Sequence, residues 1–116
     1  MSRSDECNAQ LRKDLDTMDQ IIALIREELA RLAELARIAP TAEMREVLEF
    51  PVVNSQRFLE ANDQHRQQQR EFLSTEPEWT DAEAEEAERD FRETLANLSQ
   101  CLLTIRAAVP PTETMQ

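Results

Sequence analysis

The chain contains no glycine and no tyrosine, one tryptophan, four phenylalanines and one histidine among its 116 residues. A sheet protein turns its hairpins on residues that tolerate positive φ, so the missing glycine argues against a β fold. It also removes the glycine-rich loops that cradle phosphates. No stretch approaches the roughly 18 uninterrupted apolar residues of a membrane span. The segment from Met1 to Gln10 is polar and lacks the apolar centre of a signal peptide. These features are those expected of a soluble, cytoplasmic protein. Cys7 and Cys101 are far apart and match no metal or redox spacing, which in a reducing compartment leaves two free thiols. His65 has no companion: there is no Glu-x-x-His pair, no His-x-x-x-His and no Cys-x-x-Cys. The sequence therefore carries no metal site, cofactor site or catalytic constellation that spacing reveals, and it reads as a non-enzyme.

What is abundant is helix. Ala, Leu, Glu, Gln and Arg dominate, and 116 residues suffice for one domain with a modest core. Leu11, Leu15, Met18, Ile22, Ile25, Leu29 and Leu32 recur in steps of four and three, the period of a coiled-coil seam. Ile21, Leu24, Leu35 and Ile38 add a second line, widening the face beyond what one partner helix covers. Helix 1 is predicted from about residue 4, with Ser4 as its cap, to about 39, where Pro40 stops it. Thr41 can cap helix 2, which runs from about 42 to 74 and is expected to kink or split at Pro51. Thr80 and Glu83 have capping-box spacing, so helix 3 begins there and continues to about 109, with Ala84, Ala87, Phe91, Leu95, Leu98, Leu102, Ile105 and Val109 inward. Pro110 and Pro111 end it, and residues 110–116 read as a disordered tail. The predicted fold is all-α: an antiparallel three-helix bundle with coiled-coil-like packing, a single domain over residues 1–109.

Helix 2 breaks the pattern. Phe58, Ala61, His65, Gln68 and Phe72 form one stripe; Val52, Ser55, Leu59, Asn62, Arg66, Gln69 and Leu73 form its neighbour. Both are apolar at the ends and polar in the middle. Such a layer is solvent-exposed, hydrogen-bonded internally, or turned toward a partner. If helix 2 is polar where it should answer the seam, the part of the seam around Ile22 to Leu29 is open to something else.

The formal net charge of −11, from 24 acidic and 13 basic residues, disfavours attraction to nucleic acid or anionic lipid. Acids concentrate from Glu76 to Asp90, on what is either a solvated helix start or a docking surface for a basic protein. An antiparallel hairpin of helices 2 and 3 would bring Arg66 and Arg70 to that start and partly answer it. Trp79 beside the capping box covers the end of the core or anchors an interface.

Together these features predict a noncatalytic adaptor that binds a helix of a partner protein, or itself, through the groove of helices 1 and 2. The candidate partner-binding residues are Ile22, Ile25, Leu29, Phe58, Asn62, His65, Gln69 and Trp79. In its general build the chain resembles the small acidic helical chaperones of protein export, a likeness of fold with no family motif behind it. The alternatives are a structural subunit of a larger coiled-coil complex and an acidic decoy that occupies a nucleic-acid-binding protein.

Overall fold

A computed structural model of the chain describes residues 2–108. It consists of three helices, α1 (Arg3–Arg37), α2 (Ala42–Ser74) and α3 (Asp81–Ala108), in an all-α bundle about 59 Å long. α1 is the spine. Both α2 and α3 pack along it, while α2 and α3 scarcely touch each other. The predicted tail, together with Val109, lies outside the described residues.

The seven seam residues of α1 are all buried, and Cys7 and Ala36 extend the line at either end. Leu59 and Leu73 of α2 and Ala84, Phe91, Leu98, Leu102 and Ile105 of α3 close over them to form one core. The second apolar line has a mixed fate. Ile21 and Leu35 are half-buried, whereas Leu24 and Ile38 are 38% and 56% exposed.

Two of the predicted helix boundaries shift. Ser2, not Ser4, caps α1: its hydroxyl accepts from the Asp5 amide at 3.1 Å, and the Asp5 carboxylate reaches back to the Ser2 amide. The cap moves because Ser4 is used elsewhere. Its hydroxyl accepts from the Trp79 amide at 2.8 Å and donates to the Trp79 carbonyl at 3.3 Å. α1 also stops at Arg37, with Ile38 as C-cap. Thr41 caps α2 by accepting from the Met44 amide at 3.1 Å, as its position predicts. Thr80 and Glu83 exchange hydrogen bonds of 3.0 and 3.2 Å across the start of α3.

Pro51 does not divide α2 into two helices; it lies inside one helix of 33 residues. Proline cannot donate to the carbonyl one turn earlier, that of Val47. Val47 is 72% exposed, so solvent has access to this stretch of the helix and the missing bond is tolerated there.

The turn from α2 to α3 is held by the first turns of α1. Asn8, only 3% exposed, donates to the Pro77 carbonyl at 3.0 Å and accepts from the Trp79 indole N–H at 2.6 Å. Arg12 donates to the Leu73 carbonyl at the end of α2, at 2.9 Å. Phe72 meets the Trp79 ring edge to face, with centroids 5.8 Å apart. Arg3 grips Glu88 with two bonds of 2.6 and 2.9 Å, and Arg106 lies 3.7 Å from Glu28 further along. α3 therefore runs parallel to α1, and α2 antiparallel to both, in the up-down-up order predicted.

Candidate binding surface on the first two helices

The polar middle of α2 closes against α1 through an ion-pair network. Arg66 is 8% exposed and donates to Asp19 on α1 at 2.8 Å, and to Asn62 and Asp63 on its own helix at 2.5 Å each. Asp63 also accepts from Arg26 of α1 at 2.5 Å. Arg70 pairs with Asp16 at 3.1 Å and with Asp19. Partial burial pushes the Asp63 carboxyl up, but the bonds from Arg66 and Arg26 outweigh it and hold it below the usual carboxylate range. Burial opposes the Arg70 charge in the same way, and its two aspartates more than restore it.

This network corrects the placement of Arg66 and Arg70 beside the acidic start of α3. The register of the α1–α2 pair sets residues 63–70 against residues 16–26, so the arginines meet the aspartates of α1. The acids at the start of α3 are left largely to solvent. Glu88 and Glu83 are exceptions, since the hydrogen bond from Arg3 holds the Glu88 carboxyl below the usual value and those with Thr80 do the same for Glu83.

The same packing decides where the eight candidate partner-binding residues fall. Ile22, Ile25 and Leu29 are buried in the chain's own core, in one cluster with Leu59 of α2 and the inward residues of α3, so the middle of the seam is not open. Asn62 and Gln69 are half-buried on the α1-facing stripe, and Asn62 is engaged by Arg66. Phe58 and His65 are exposed on the neighbouring stripe. Trp79 is half-buried at the opposite end of the molecule, tied to Ser4 and Asn8. The eight therefore do not form one site.

What the fold does build between α1 and α2 is a groove of about 440 Å³, further toward the α1–α2 turn. It is lined by the apolar Leu29, Ala30, Ala33, Val52 and Leu59 together with Arg26, Gln56 and Glu60. The groove exists because α1 presents alanine at two positions beside its seam, where a longer side chain would fill the space. Leu29 is the one predicted residue that lines it. Ala30, Ala33 and Gln56 were not legible as site residues, although two alanines three apart are the sequence trace of a close-approach face.

Next to the groove, the amino-terminal half of α2 is apolar and open. Val47 and Phe50 are about 70% exposed, Val53 59% and Met44 50%. The described part of α3 reaches only the level of Glu28, through Arg106, so this half of α2 is accompanied by α1 alone.

The two cysteines are free. Cys7 lies against the Ala84 carbonyl, about 25 Å of helix from Cys101, and burial pushes both thiols up. Among the described residues no group of three or more His, Cys, Asp or Glu is arranged to hold a metal ion. No described helix is long and apolar enough to cross a membrane.

Comparison with protein-family models, with curated proteins and with solved structures gives no match to this chain.

Proposed function

We propose that this protein is a noncatalytic binding module of the adaptor or assembly-chaperone kind, which holds an amphipathic helix of a partner protein in the groove between α1 and α2. One observation carries the reading: an apolar lining lies open beside a core that is already complete. The chain does not need Ala30 or Ala33 covered in order to fold, because the seam from Leu11 to Leu32 is buried while both of them stay exposed. A partner helix would insert apolar side chains at i, i+3 or i+4, and i+7 against that lining. Glu60 in the lining and the net charge of −11 favour basic flanks on that helix and faster encounter with it.

The reading of a permanently paired coiled-coil subunit draws less support, since the residues such a pairing would use are spent within the chain.

A selection of helical peptides against the intact protein tests the proposal. Peptides with apolar spacing of three and four and with lysine or arginine flanks are the expected outcome. Ala33→Trp, which fills the groove from an exposed position on α1, should then weaken their binding at least tenfold while the folded protein keeps its helix content. Selection of no peptide, or of peptides indifferent to Ala33→Trp, would remove the groove from the account.

A further inference from the structure

α3 stops short of apolar surface that a longer helix would cover. Its last residue is Ala108, and Arg106 lies beside Glu28, so about two turns of α1 run on past it, with Leu35 half-buried and Ile38 exposed. α2 runs on as well. Met44, Pro51, Phe58, His65 and Phe72 are seven residues apart and share one side of that helix, with Val47 one turn from Met44. At the far end of this line Phe72 meets Trp79, which leads into α3, so the line is turned toward α3 and away from the groove. Beyond the end of α3, Met44, Val47 and Leu48 surround a shallow hollow of about 280 Å³, with Glu43 at one side.

We infer that residues 109–116 continue the course of α3 as an extended strap across this end of the molecule and seat Met115 in the hollow of Met44, Val47 and Leu48. The inference does not rest on the groove, whose lining takes Gln56 and Glu60 from a different side of α2.

The length and chemistry of the segment support this occupant. Pro110 and Pro111 donate no amide and push the residue before them out of the α region, so the course is open to extended chain and closed to more helix. Arg26 meets Asp63, which places Ala108 level with the stretch of α2 just before Asn62. From there to Val47 is about 15 Å along α2 and roughly 8–10 Å across from one helix to the next. The seven residues from Ala108 to Met115 span about 22 Å at the rise of a polyproline helix, enough to reach with little slack. The proline pair stiffens the first part of the strap, so docking has less conformational freedom to remove. Methionine, unbranched and adaptable, suits an irregular apolar hollow. Glu113, the one charged residue of the segment, then falls about 6 Å short of the hollow, toward α3 and away from Glu43.

The chain has four methionines, Met1, Met18, Met44 and Met115, so methyl NMR of the full chain labelled at methionine, valine and leucine reads the contact directly. At concentrations where sedimentation gives a single chain, the Met115 methyl should show nuclear Overhauser contacts to Met44 and Val47. Met115→Ala should shift the Met44 signal and leave that of Met18, buried in the core, in place. Amides from Met44 to Phe50 should exchange roughly threefold faster or more in that variant. Val47→Glu should move the Met115 signal to the position it takes in a free peptide of residues 109–116, whereas Ala33→Trp should not. An unmoved Met18 signal shows that each variant keeps its core. A Met115 signal at the free-peptide position in the wild-type chain overturns the inference, and so does a Met44 signal indifferent to Met115→Ala. Contacts that appear only as the chain concentration rises would give the hollow to a second copy and overturn it as well.

Discussion

Asn8 is the residue on which the most depends for its size. Its side chain is buried and uses both ends, one on the Pro77 carbonyl and one on the Trp79 indole. Asn8→Ala should cost about 1–3 kcal/mol by leaving two polar groups without their partner, measured by urea denaturation followed by circular dichroism. Trp79→Phe should cost less, because it removes one of those bonds and leaves the ring contact with Phe72. Among the carboxylates whose lowered ionisation shapes the acid side of the stability profile, Asp63 and Glu88 are the two whose ion pairs join different helices. Both ionise below the ordinary carboxylate range when folded. Their contribution is present above the unfolded carboxylate values near pH 4 and is lost as pH falls through the lower folded values. Glu88→Gln should therefore flatten the acid limb of a stability–pH curve, and Asp63→Asn should flatten it further. An unchanged limb in both would mean that neither ion pair contributes measurably. Of these roles, only the place of Trp79 at the end of the core was legible in the sequence. A single Asn beside a seam has no periodic signature, and Ser4 read as a cap because the chain that recruits it is 75 residues away.

At the scale of the helix, α1 was legible almost in full, since a seven-residue line in steps of three and four has one reading. α2 was not. Its polar middle left three possibilities open, and the choice between them depended on register: a one-turn slip would have set Arg66 away from Asp19. The helix also carries Pro51 without dividing, which leaves the first of the two expected forms, one continuous helix through the proline, with Leu48 and Val52 on either side packed against the core. Proline still costs the helix a hydrogen bond. Pro51→Ala should stabilise the protein by roughly 1–3 kcal/mol, readable as a rise in melting temperature. A fall would mean that the backbone near Val47 needs the break.

For the whole molecule, the seam is answered from within. Neither α2 nor α3 alone could cover it, and the two together do so while barely meeting each other. The surface left over is the α1–α2 groove and the exposed amino-terminal half of α2, both at the end away from Trp79. The sequence drew attention to the middle of the seam instead, because a helix that is polar in its centre looks unable to cover apolar residues. Arg66 is nonetheless buried there, with its guanidinium on Asp19, and that behaviour depends on tertiary placement rather than on residue type.

The claim that the core is complete in the single chain is the one on which the functional proposals stand, and amide hydrogen exchange of the dilute isolated protein tests it most directly. Amides of α1 from Leu15 to Leu29 should be the most protected and should exchange only with global unfolding, while those of α2 from Val47 to Val53 should exchange fastest within the helices. Rapid exchange through the middle of α1 in the isolated chain would contradict the account and return that seam to a partner.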